Sequence, residues 1–152
     1  MEIFMVIRIT GNYIADCSIF SFIIAQALKF IFYWVRQKRR PNLRYIFTSG
    51  GMPSSHAATV VSLATAVYFI EGIASTYFAI SLILALIVMY DAAGVRRAVG
   101  QQAGILNYMM ENWKDTSPNM FDKKLKELLG HTPIEVFAGA VLGAAIAMIY
   151  PM

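Results

Sequence analysis

His56 and His131 are the only histidines in the chain, and each stands just before an apolar run. His56 closes Ser49-Gly50-Gly51-Met52-Pro53-Ser54-Ser55-His56, and His131 opens His131-Thr132-Pro133-Ile134-Glu135. Imidazole changes charge near neutral pH, so two of them can serve as nucleophile and acid in one reaction. The remaining candidates are fixed cations at Lys29, Arg36, Arg96 and Arg97 and carboxylates at Glu135 and Asp91. This set suits metal-free phosphoryl transfer. One neutral imidazole attacks phosphorus and forms a phosphohistidine, a carboxylate orients that ring, and the second imidazolium protonates the leaving oxygen. Lysine and arginine neutralise the phosphate oxygens as their charge redistributes. Helix N-termini, and the N–H groups of a turn such as Gly50-Gly51, hold the same oxygens. This chemistry calls for no cofactor. A zinc site from His56, His131, Glu135 and Asp91 is the competing reading. It lacks the i, i+4 histidine pair of helical zinc motifs, and the surrounding cations repel a metal.

The apolar runs indicate how these residues converge. Of 152 residues, 58% are hydrophobic and 14% charged, against about 25% charged in soluble domains. Runs approaching the ~20 residues a bilayer core requires predict an all-α integral membrane bundle, with residues 1–152 forming one membrane-embedded domain. The net charge of +4 is not read as nucleic-acid binding, because the basic residues flank apolar runs, as they do beside membranes. Cys17 is the only cysteine, so no intrachain disulfide forms, and a small buried residue is expected there. The N-terminus lacks a signal-peptide pattern, so the first apolar run is expected to be retained.

About four spans are predicted. The first, residues 14–35, reaches ~33 Å and carries Gln26 and Lys29. Lys29 and Arg36 are seven residues apart and project from one helical face, which suggests a common anionic partner. The second, residues 54–70, is short or re-entrant. Ser54 or Ser55 caps it, and Ala58, Ser62 and Ala66 form a small-residue stripe. The third, residues 77–95, holds Asp91, whose partner must come from another element: Lys29, Arg36 or a histidine. The fourth, residues 133–150, starts with a capping box of Thr132 and Glu135 around Pro133. Gly139 and Gly143 allow close helix approach, either within the chain or in a homodimer. Between the third and fourth spans lies a long polar stretch, with a loop at 112–119. Phe121, Leu125, Leu128 and Leu129 then define an amphipathic helix on the membrane surface or over the bundle.

Four spans put the first and third connections on one side. The first carries Arg36, Lys38, Arg39, Arg40 and Arg44; the third carries Arg96, Arg97, Lys114, Lys123, Lys124 and Lys126; the second carries no Lys or Arg. The positive-inside rule places both charged connections in the cytoplasm. Lys29, Arg36, Ser54, Ser55, His56, Asp91, Arg96, His131 and Glu135 then share one membrane face.

At these residues the sequence resembles the type-2 phosphatidic acid phosphatase superfamily, which also includes the vanadium haloperoxidases, and more closely that superfamily's small divergent membrane branch. Lys29-x6-Arg36 is similar to the family's Lys-x6-Arg-Pro, with Gln37 for proline. Pro53-Ser54-Ser55-His56 is similar to Pro-Ser-Gly-His, with Ser55 for glycine. His131-x3-Glu135 matches the end of Ser-Arg-x5-His-x3-Asp, with glutamate for aspartate. The resemblance implies that His131 is the nucleophile, Glu135 its orienting carboxylate and His56 the acid, with Lys29, Arg36, Ser54 and Ser55 on the phosphate. One departure stands out: the arginine expected six residues before His131 falls at Leu125, and Lys124 replaces the serine. Arg96 or Arg97, in a run with Asp91 that looks typical of the divergent branch, is the candidate replacement. The implied function is a metal-independent phosphatase of a phosphorylated lipid or other phosphomonoester at the membrane surface. The alternative is a non-catalytic phosphate- or headgroup-binding membrane protein, such as a transport component. The expected location is the plasma membrane of a bacterium. The family's lipid phosphatases usually act at the outer face, whereas the charge bias here faces the site to the cytoplasm.

Overall fold

The computed structural model describes residues 9–37, 51–112 and 130–151. Five helices form in these segments: α1 Tyr13–Gln37, α2 Ser55–Glu71, α3 Thr76–Ala93, α4 Val95–Asn112 and α5 Pro133–Ile149. Helix α2 is central, with α1, α3 and α5 all packed on it, while α4 touches only α3 among the described helices. The fold is an all-α membrane bundle. Large apolar side chains such as Phe22, Ile23, Phe32, Ile83, Ile87, Phe137 and Met148 are exposed and form its lipid-facing surface.

Small residues explain the central place of α2. Its buried positions are Ser55, Ala57, Ala58, Ser62, Ala64, Ala66 and Val67. A methyl on Gly139 of α5 would meet the Ser54 carbonyl oxygen and Ala57; one on Gly143 would meet the Ala58 backbone. Lipid gives helices no hydrophobic reason to associate, so close backbone packing must hold them. Gly139 and Gly143 therefore serve a contact within the chain, between α5 and α2. Farther along the same seam, Cys17 of α1 is buried against Ala66 and against Ala147 of α5.

The far end of the bundle is pinned by polar contacts. The Tyr13 hydroxyl donates to the Ala147 carbonyl at 2.7 Å. Asn12 Oδ1 accepts from the amides of Ile14 and Ala15, opening α1 as its cap. The buried Asp16 carboxylate accepts from the Thr10 amide at 2.8 Å and hydroxyl at 2.7 Å.

Helix α1 and the α3–α4 tract are long and apolar enough to cross a membrane. Helices α2 and α5 have 17 residues each, or ~26 Å, slightly short of a ~30 Å core. Helix α2 nevertheless runs alongside α1 from the level of Lys29, which lies against Gly51, to that of Cys17, against Ala66. It does not fold back, so the re-entrant option for the second span falls away. The larger difference from the sequence expectation is α4. The third span stops at Ala93, Gly94 interrupts it at φ −103° and ψ −83°, and a new helix starts at Val95. Of the loop expected at 112–119, Asn112 is the last residue of α4; residues 113–119 and the amphipathic helix of Phe121, Leu125, Leu128 and Leu129 lie outside the described residues.

Candidate active site

The site grows from the start of α5. Thr132 caps this helix: its hydroxyl accepts from the Glu135 amide at 3.3 Å, while Glu135 Oε2 accepts from the Thr132 amide at 3.0 Å. The same Oε2 lies 3.3 Å from Nδ1 of His131. One carboxylate oxygen thus closes the capping box and meets the imidazole. An ionised carboxylate only accepts, so Nδ1 carries the proton and Nε2 holds the lone pair. The His131 side chain is 2% exposed. Its backbone amide donates to the Ala92 carbonyl at 3.1 Å, tying the start of α5 to the end of α3.

Helix α2 begins beside it. Ser54 is the N-cap, and its Oγ accepts from the Ala57 amide at 3.4 Å. The Ser54 amide donates to the Glu135 carbonyl at 3.0 Å, which links the two helix starts directly. Two residues on, the His56 ring meets the His131 ring edge-on, with centroids 5.9 Å apart and planes at 66°. From α1, Lys29 enters as a buried lysine whose stem lies against Gly51, and it acts electrostatically on both Glu135 and His131. Gly51 has φ +89°, a conformation that favours glycine.

Burial pushes the His131 pKa below the ordinary 6.5. Glu135 and the Gly51 carbonyl oppose that shift, and Lys29 adds to it. The net effect keeps the ring neutral near neutral pH, the form in which imidazole is a nucleophile.

The structure brings Lys29, Gly51, Ser54, Ser55, His56, His131 and Glu135 to one end of the bundle, from α1, α2 and α5. Asp91 lies on the last turn of α3, next to Ala92, and is half-buried. Arg36 sits on the last turn of α1, and Arg96 and Arg97 on the first turn of α4; their side chains, and Gly50, lie outside the described residues. The serines have a structural task as well: Ser54 is fully buried and caps α2, and the Ser55 carbonyl accepts from the Thr59 hydroxyl at 2.8 Å. Sequence reasoning missed the Ala92 carbonyl, a backbone group that no side-chain pattern announces. Both roles expected of Glu135, helix cap and partner of His131, fall on a single oxygen.

Fold and site together define an integral membrane helical bundle with paired histidines at two adjoining helix starts. The chain matches the Divergent PAP2 family over residues 10–146 and belongs to that family. It is 37% identical over 142 residues to a membrane protein of Bacillus subtilis (strain 168), called uncharacterized membrane protein YuiD. The match covers 87% of this chain and 89% of that relative. No solved structure matches the chain.

Proposed function

We propose that this protein is a metal-independent phosphatase acting on a phosphorylated lipid or other phosphomonoester at the membrane surface, through a phosphohistidine on His131. The observation that carries the reading is the Glu135 Oε2–His131 Nδ1 contact at 3.3 Å with the His56 ring 5.9 Å away. In the first step Nε2 of neutral His131 attacks phosphorus as the bond to the leaving alcohol breaks, and the His56 imidazolium gives that oxygen its proton. In the second, water attacks the phosphohistidine, His56 takes a proton from it, and inorganic phosphate leaves. Lys29, Arg36, Ser55 and the first-turn amides of α2 hold the phosphoryl oxygens. Arg96 or Arg97 supplies the cation absent at Leu125, with Asp91 and the Gly50-Gly51 turn in support. The charged connections set this site at the cytoplasmic face of a bacterial plasma membrane.

The test is phosphate release by purified protein in vesicles, with lipid phosphates and soluble phosphomonoesters and no added metal. His131→Ala and His56→Ala should each abolish it, and release that survives both substitutions refutes the mechanism. Leu125 at the arginine position favours a second reading, a binder without turnover. Absence of turnover, with phosphate binding lost in Lys29→Ala, would select it.

A further inference from the structure

We infer that α4 is an in-plane membrane helix, its apolar side resting in the boundary between headgroups and acyl chains beside His131. Its occupant is the lipid bilayer. Val95, Val99, Ile105, Leu106, Tyr108 and Met109 are each between 48% and 70% exposed. At 100° per residue they span about half the helix circumference, with Gln101 and Gln102 among them. Gly100, Ala103 and Asn107 are buried and fall on the other half. An apolar arc this wide fits a lipid surface; a helix-pairing seam is narrower.

The arc continues the lipid-facing surface of α3, where Ile80, Ile83, Ile87 and Tyr90 are exposed. The α3–α4 tract holds 36 residues from Thr76 to Glu111, ~54 Å if straight, against a ~30 Å hydrocarbon core. Standing upright, α4 would hold its apolar half in water. Gly94 interrupts the tract where α3 reaches the site end of the bundle, so α4 can leave the span axis there and lie along the interface. The amides of Gln101 and Gln102 are accommodated at headgroup depth. The Ala92 carbonyl holds the His131 amide, so seating α4 on the bilayer also sets His131 at headgroup level.

The test uses spin labels on cysteines introduced singly at Val99, Leu106, Met109 and Glu111, in full-length protein in vesicles of zwitterionic and anionic phospholipid. Native Cys17 is buried and stays unlabelled. Relaxation by oxygen, which partitions into lipid, should exceed that by a water-soluble nickel chelate at the first three sites and reverse at Glu111, for a depth of about 5–10 Å. Equal chelate access at all four sites overturns the inference. So does dipolar coupling between copies at Leu106 without lipid contact, which would make a second chain the occupant. No phosphate chemistry enters the measurement, so its outcome is separate from that of the phosphatase assay.

Discussion

Glu135→Gln separates the two duties of one carboxylate. In the structure Oε2 accepts from the Thr132 amide at 3.0 Å and faces His131 Nδ1 at 3.3 Å. Glutamine keeps an amide oxygen for the Thr132 N–H, so the capping box persists in neutral form and the stability loss should stay below ~1 kcal/mol. In the proposed mechanism the ring, however, gains positive charge as Nε2 bonds to phosphorus, and the charge that supports it is gone. A hydrogen bond to a charged group contributes ~1.5–3 kcal/mol. At ~1.4 kcal/mol per tenfold, turnover should fall about 10–150-fold. Glu135→Ala removes the cap as well and should unfold at lower temperature than Glu135→Gln. The assay pairs initial rates of phosphate release in vesicles with thermal unfolding of the same preparations. If Glu135→Gln melts earlier yet turns over within about twofold of wild type, a change under ~0.5 kcal/mol, the carboxylate is a helix cap alone and the orientation argument fails.

Gly51→Ala places a side chain at φ +89° with its Cβ 3.1 Å from Lys29 Cε. A cost of ~1–2 kcal/mol and weaker binding of inorganic phosphate are expected, read by thermal unfolding and calorimetric titration. Gly139→Ala drives its Cβ into the Ser54 carbonyl, so α2 and α5 must separate at a cost of ~1–3 kcal/mol, measurable as earlier unfolding in detergent. The pH dependence follows from His131, whose folded-state value lies below 6.5, chiefly through burial. Between the folded and unfolded values the unfolded chain binds the extra proton, so stability is fully present above 6.5 and declines as pH falls through that window. His131→Gln should flatten this slope in unfolding curves, and the acid limb of wild-type turnover should lie below 6.5.

What the sequence revealed and what it hid divide along local and non-local lines. The helix starts at Ser54 and at Thr132-Pro133-Glu135 were legible because a cap is a short pattern completed within four residues. The meeting of His56 with His131 followed from counting spans, since alternate crossings return the chain to the same face. The partner of Gly139 was not legible: a glycine spacing states that something comes close, and only the fold shows that it is the Ser54 carbonyl. Helix α4 was hidden for a different reason. Gly100, Gly104, Arg96, Arg97 and two glutamines break up its apolar residues, so no continuous run marks it, and its helical periodicity is weak beside the signal of the spans.

The contact at Ser54 bears on the electrostatics of the two helix starts. Ser54 caps α2, donates its amide to Glu135 of α5, and sets its carbonyl against Gly139. The next contact along, Ala58 with Gly143, advances in the same direction on both helices, so α2 and α5 run parallel. Their N-termini, each equivalent to roughly half a positive charge, are therefore held side by side. Parallel dipoles at such close approach repel, and the buried Lys29 adds a full positive charge nearby. The Glu135 carboxylate in the first turn of α5 offsets part of this and at the same time orients His131. In the proposed reaction that remaining positive potential is what a phosphate dianion would neutralise. Small residues that let two backbones touch thus do more than pack the bundle: they bring two helix starts side by side, the arrangement on which the proposed phosphate site depends.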